Sequence, residues 1–216
     1  MANIKLKNDC GVPQYSCSSC CTCPSTCGIS LTTVKNRGCC WYFPKFTLCE
    51  IHRMVKSDEG LQVLQQILKL PEVKIYNYYI HAKGFFDEDG CKKFIECGKC
   101  EEEKYKKHDH TIFFRTCPFI KEGEGCTIPV KYRSYVCNFF ICDEINEKLK
   151  DNAEYVKYEK EMKSYARWID WENASIEMML QKRNINLINN FQEVIEVLKE
   201  LPLEEYEFAN LKEINF

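Results

Sequence analysis

Residues 39–55 read Cys39-Cys40-Trp41-Tyr42-Phe43-Pro44-Lys45-Phe46-Thr47-Leu48-Cys49-Glu50-Ile51-His52-Arg53-Met54-Val55, and they form the seam of the chain. Thr47 and Glu50 have the spacing of a capping box, in which the two side chains satisfy orphan backbone donors at a helix start. A short helix is expected there, with Ile51, Met54 and Val55 on one face. Upstream, residues 1–45 are cysteine-rich and broken by Gly11, Pro13, Pro24, Gly28, Gly38 and Pro44, so they read as loop. Downstream, helical periodicity takes over. A second helix is expected over 57–70, with Leu61, Leu64 and Leu68 on one stripe and Pro71 as its stop.

Residues 73–82 are β-branched and tyrosine-rich and read as one strand, with 111–115 as a second strand paired to it. Phe85 and Phe86 precede an acidic turn, Asp87-Glu88-Asp89-Gly90. The stretch 91–109 is highly charged and reads as a surface excursion. Residues 117–142 form a compact segment with Gly123 and Gly125 in a turn. From Asp143 the pattern is helical, with a long helix over 143–172 and a final one over 187–201 closed by Pro202. Trp168 and Trp171 read as the packing face of the long helix.

The 216 residues are 45% hydrophobic and 13% aromatic, enough for a packed core without covalent staples. The first residues are polar and lack the apolar run of a secretory signal, and no stretch has the apolar length of a membrane span. A soluble cytoplasmic protein is expected, with no membrane partner. Abundant Lys, Ile, Asn and Glu beside scarce Ala point to an AT-rich genome, of the kind many anaerobes have. Residues 1–142 carry 20 basic and 15 acidic side chains, and 143–216 carry 10 and 17. The acidic part is expected to pack against the basic part. With no Arg-rich stripe, nucleic acid is not expected as a partner.

All sixteen cysteines lie in the first 142 residues. In a reducing compartment such density reads as metal-binding or catalytic. Cys17, Cys20, Cys23 and Cys27 have the C-x2-C-x2-C-x3-C spacing of bacterial ferredoxins, with Cys21 inside the run and Gly28 where those proteins have proline. A zinc knuckle built on CxxC pairs is the alternative. Cys39, Cys40, Cys117, Cys126, Cys137 and Cys142 form a second, scattered group.

This second group carries a family resemblance. The run from Cys39 to Ile51 resembles the CC…LT..EI motif of the YkgJ-type cysteine-cluster family. Cys117-Pro118-Phe119-Ile120, Gly125-Cys126-Thr127-Ile128, Tyr132-Arg133 and Cys137-Asn138-Phe139-Phe140 resemble that family's second motif. The chain departs from the pattern at Ser134 and Asn138, and eleven residues separate Cys27 from the pair. The resemblance spans residues 10–142. It implies zinc or iron chelation, and kinship with flagellin lysine-N-methylases implies a 4Fe–4S cluster. Carried over, Cys40, Cys117, Cys126 and Cys137 are the implied ligands, with Cys39 as alternate.

With Cys10 joining the first group, there are cysteines for two four-cysteine sites, and two 4Fe–4S-like clusters are expected. The fold class expected is α+β: a small irregular cysteine-rich metal-cluster core with a short antiparallel β-hairpin, covered by helices. Residues 1–142 would form the metal-binding domain and 143–216 an acidic helical extension packed on it, as a lid. The expected function is that of an iron–sulfur protein with a redox or catalytic role, served by an electron-transfer partner and a small-molecule or protein substrate. A non-catalytic zinc-binding or metal storage and delivery module is the alternative, and a lysine-N-methylase-like enzyme the second alternative.

Among other residues, Arg115 and Arg133 lie close in sequence to the implied ligands and could offset cluster charge or hold an anionic substrate. Cys49 reads as a buried free thiol. Cys91, Cys97 and Cys100 with His108 or His110 could make a small zinc site. His81 could face the cluster pocket. Trp41, Tyr42, Phe43, Phe46, Phe119, Tyr132, Tyr135, Phe139 and Phe140 would form a dry aromatic shell. No phosphate loop, Rossmann fingerprint, nucleophile elbow or radical-type CxxxCxxC run occurs.

Overall fold

Ile4 and Leu6 alternate with Lys5 and Lys7, and this two-residue period builds a strand where breakers alone would leave loop. In the computed structural model, which describes residues 3–9, 12–17, 25–35, 37–38, 40–122 and 124–215, β1 (Asn3–Asp9) and β2 (Val12–Cys17) form an antiparallel hairpin, with Ile4 opposite Cys17 and Asp9 opposite Val12. The loop reading of residues 1–45 is therefore corrected for this stretch. Tyr15 is buried, and its hydroxyl donates to the Tyr158 carbonyl at 2.5 Å.

Residues 25–35 and 37–38 hold little regular structure beyond a 3-10 turn at Thr26–Gly28, but they are anchored. Arg37 is 2% exposed, and its guanidinium donates to the carbonyls of Ile29 (2.8 Å) and Ile112 (2.7 Å). Leu31 N–H donates to Phe113 (2.8 Å), and the Thr32 and Thr116 hydroxyls lie 2.9 Å apart. These bonds hold the segment carrying Cys27 and Cys40 against the segment that leads to Cys117.

The capping box forms. Strand β3 (Lys45–Thr47) runs into α1 (Leu48–Val55), and the Thr47 backbone N–H and hydroxyl both donate to Glu50 Oε2, at 2.6 and 2.9 Å. Ile51, Met54 and Val55 are buried, as the shared face requires. Helix α2 (Asp58–Leu68) starts at Ser57, whose hydroxyl accepts from Gly60 N–H.

Residues 73–82 are not one strand. β4 (Val73–Ile75) and β5 (Tyr79–Ala82) pair antiparallel, and the chain reverses between them, with Tyr76 N–H donating to Tyr79 at 2.9 Å. The turn holds Asn77, a residue with strong turn preference. β5 is the centre of a three-stranded sheet, flanked by β3 and β4. One face buries Phe46, Ile80 and Ala82. Lys45, His81 and Lys74, paired in register, share the other face.

The strand expected at 111–115 is also corrected. β6 (Phe85–Phe86) leads into α3 (Glu88–Glu96), and α4 (Glu103–Lys106) follows. Residues His110–Phe114 are a 3-10 turn, begun by the Asp109 carboxylate accepting Thr111 N–H at 2.9 Å. Ile112, Phe113 and Phe114 are all buried, whereas a half-exposed strand would turn every second one outward. Only β7 (Arg115–Thr116) is extended, and it pairs with β6, not with β5. The acidic turn at 87–90 is the start of α3, with Asp87 accepting Gly90 N–H. The charged excursion has a core side as well: Cys91, Phe94, Cys100 and Tyr105 are buried.

The compact segment holds a tight hairpin, β8 (Ile120–Lys121) and β9 (Gly125–Cys126), and then α5 (Tyr135–Asn138). The long helix expected over 143–172 is two helices, α6 (Asp143–Leu149) and α7 (Ala153–Lys182). Asn152 separates them by capping α7, its Oδ1 accepting from Glu154 and Tyr155 N–H; such a side chain competes with the helix ladder for backbone donors. Helix α8 (Phe191–Glu200) starts later than expected, although Leu187 is buried ahead of it. Strand β10 (Ile214–Asn215) returns to pair with β1.

The architecture is thus α+β, with small antiparallel sheets. Two buried clusters lie along it. One gathers α1, α2, β5, α8 and Cys117; the other is aromatic and includes Tyr15, Phe94, Phe113, Phe139 and Tyr158. Helix α7, about 45 Å long at 1.5 Å per residue, serves both, with Ile176 and Leu180 in the first and Tyr155, Tyr165 and Ile169 in the second. It is a spine of the core and not a lid alone. Trp168 packs on Tyr165 and Tyr206, but Trp171 is 65% exposed and is not part of that face. No helix among the described residues is long and apolar enough to cross a membrane.

Candidate metal centre

Four cysteines from four separate places in the chain are brought to one neighbourhood. Cys40 precedes β3, Cys117 follows β7, Cys126 ends β9 and Cys137 lies in α5. Cys117 N–H donates to the Cys40 carbonyl at 2.9 Å, which joins the first two backbones. The register Ile120 opposite Cys126 folds the third back on the second. That hairpin is held by the Thr127 N–H and hydroxyl, which donate to the Phe119 carbonyl at 2.8 and 3.0 Å. The fourth is set by Glu50, which is 2% exposed and accepts Tyr135 N–H at 3.0 Å through Oε1 while Oε2 serves Thr47. One buried carboxylate thereby starts α1 and tethers the N-terminus of α5. Its capping role is readable in sequence; its second bond, across 85 residues of chain, has no local signal.

The electrostatics of the four thiols are shared. Burial pushes the Cys117 thiol up to about 12; the charges of Cys40 and Cys126 add to this, while a hydrogen bond from Phe119 N–H and the Arg133 guanidinium oppose it. Burial raises Cys137 as well, followed by the charges of Cys117, Cys126 and Cys40. The Cys117 and Cys137 thiols, raised in this way, stay protonated at neutral pH, and a bound cation is what would ionise them. Arg133 is fixed beside them, its Nε–H donating to the Ile128 carbonyl at 2.7 Å and its Nη2 to that of Cys126 at 3.4 Å. Edge contacts of Phe46 with Phe119 and of Trp41 with Phe140 supply part of the aromatic surround. Among the described residues, no three His, Cys, Asp or Glu side chains are drawn together as the ligands of a single ion.

The remaining cysteines sort differently from their order in the chain. Cys27 is hydrogen-bonded to Cys142, which is lowered to about 6 by that bond first, against its burial, and then by Ile145 N–H and the Ser25 hydroxyl. Cys142 stands at the N-terminal end of α6, where backbone donors favour a thiolate. The Thr26 N–H donates to Glu144 at 3.0 Å and clamps the two segments. One member of each sequence group thus pairs with the other. Cys10, Cys20, Cys21, Cys23 and Cys39 and the Cys17 side chain lie outside the described residues, and the ferredoxin-like run falls largely there.

Cys49 is a buried free thiol, pushed up to about 12 by burial. The small zinc site expected at Cys91, Cys97, Cys100 and His108 or His110 does not form among the described residues. Cys97 is exposed and its thiol donates to the Phe94 carbonyl at 3.4 Å; Cys100 is buried and donates to Ile95. His108 and His110 pack edgewise on Phe113 and Phe94. Arg115 lies between the Phe43 and Phe86 rings, 5.5 Å from each. His81 lines the same cavity as Arg115. Compared with protein families, curated proteins and solved structures, the chain has no significant match.

Proposed function

We propose that the chain is an iron–sulfur protein whose cluster is held by Cys40, Cys117, Cys126 and Cys137, and that it acts in electron transfer or redox catalysis. The observation that carries this reading is the shared electrostatic neighbourhood of these four thiols, drawn from segments far apart in sequence. The donor set is all sulfur, the chemistry that soft thiolate-binding centres select. Arg133 and the Phe119 N–H supply the positive charge and the hydrogen bond to sulfur that tune such a centre. A bound cluster would accept and release one electron at a time. Cys27 and Cys142, with the cysteines of residues 10–23, are the candidates for a second cluster.

Anaerobic purification with iron, acid-labile sulfide and zinc assays tests the reading. A brown protein with about four irons per chain supports one cluster, and about eight supports two. Cys117→Ser and Cys137→Ser are expected to lose about four irons each, while Cys49→Ser keeps them all. A colourless, zinc-loaded protein, or full iron retention in both centre variants, would sink it.

A further inference from the structure

The solvent side of the β3–β5–β4 sheet opens into a cavity of about 600 Å³. Its walls are unusual in charge. Lys45, His81, Lys83 and Arg115 line it, and Glu72 is the one carboxylate among the described lining residues. Among the described residues, none of Lys45, Lys83 and Arg115 is ion-paired. Arg115 is half-buried between the Phe43 and Phe86 rings, and its Nε is buried without a hydrogen-bond partner. Leaving a guanidinium donor dry and unpaired is costly, and a guanidinium lying over two rings with that donor unspent is placed to receive a ligand. Burial, then the charges of Lys45 and Lys83, holds the His81 imidazole below its ordinary range, as expected of a cationic site.

The apolar half of the wall is aromatic. Phe43 and Phe86 line the cavity, and Phe85 stands at it 56% exposed. The cavity also abuts the cysteine centre. Tyr42, two residues after Cys40, is in its wall. Gly84 lines it too, and packs so closely on the Cys117 segment that a Cβ there would lie 2.2 Å from the Thr116 carbonyl and 2.8 Å from Pro118 Cδ.

We propose that this cavity binds a small organic anion, a carboxylate or phosphate carried on an apolar or aromatic body, with Arg115 as its anchor. Arg115 offers the planar fork that pairs with either headgroup. Lys45 and Lys83 provide the field that draws the anion in, and the rings take the body. The site is independent of what metal the cysteines hold, and binding can be read without turnover.

The test is calorimetric titration of the full-length protein, as purified and at low ionic strength, with benzoate, phenyl phosphate and the neutral benzamide. Saturable binding of one or both anions, at least about tenfold tighter than benzamide, is expected, since a bidentate Arg–anion pair contributes on that scale. The tighter of the two anions identifies the headgroup. Arg115→Gln should weaken anion binding about tenfold or more and Lys83→Gln by a smaller factor, with Lys121→Gln on β8 unchanged. Circular dichroism establishes that each variant is folded, and Lys83→Gln carries the test if Arg115→Gln is not. Anions that bind no better than benzamide, or wild-type binding in the folded pocket variants, would overturn the proposal.

Discussion

His52 is 3% exposed, and its ring Nε2 lies 3.2 Å from the Leu201 carbonyl, as a donor to it. Burial, then the charges of Lys56 and Arg53, holds its imidazole below the ordinary value near 6.5. The unfolded chain therefore binds a proton that the folded chain refuses. Stability from a neutral His52 is fully present above about pH 6.5 and is lost as pH falls through the lowered folded value. Urea unfolding should show a lower midpoint at about pH 5.5 than at about pH 7.5, and His52→Gln should show a smaller drop. Equal drops in the two proteins would remove His52 as the cause. Glu50 works at the same scale in the opposite sense: burial raises its carboxyl despite hydrogen bonds from Thr47 and Tyr135, and the buried acid is kept because two helix starts depend on it.

At the scale of elements, α1 and α2 approach closely where the chain passes from one to the other. Gly60 lies under the C-terminal end of α1, and a Cβ there would fall 2.1 Å from the Met54 carbonyl oxygen. Its φ is not positive, so the glycine is required by approach and not by backbone conformation. Gly60→Ala should cost about 1–3 kcal/mol or more, the range for forcing atoms into packed space, read as a lower denaturant midpoint with an unchanged slope. A variant as stable as wild type would mean that the helices separate freely. This approach matters for the centre, because α1 carries Glu50 and so the position of α5.

At the scale of the whole molecule, the first and last described strands pair with each other. β10 pairs with β1, Ile214 is buried at 4%, and the Tyr158 hydroxyl donates to the Lys212 carbonyl at 2.8 Å. A chain ending at Ala209 should lose about 2.5–4 kcal/mol, from the Ile214 side chain at roughly 1.5–3 and one hydrogen bond at about 1. It would also expose the β1 edge, an aggregation risk. Thermal melting and sedimentation at rising concentration would read both effects; an unaltered melt and a monomer throughout would refute them.

How much of this was legible follows from the range of each signal. Thr47, Glu50 and the apolar stripe of α1 act within a turn or two of helix, so the sequence by itself determined both helices and the buried face of α1; on α2 it picked Leu61, Leu64 and Leu68, whereas Val63, Leu64 and Ile67 are the buried ones. Spacing alone singled out only the run from Cys17 to Cys27; Cys40, Cys117, Cys126 and Cys137 were implied as ligands by a family resemblance and stay a proposal. The sequence misjudged the strands at 73–82 and 111–115 and the single helix at 143–172, where local preference is weak and a turn, a buried run of three or an Asn cap decides. Only the tertiary structure decided that Cys27 meets Cys142, that Glu50 reaches Tyr135, that β10 pairs with β1, and that Arg115 lines one cavity with Lys83 and His81. These depend on loop closure and burial between distant segments, whose free energy no short stretch of sequence contains.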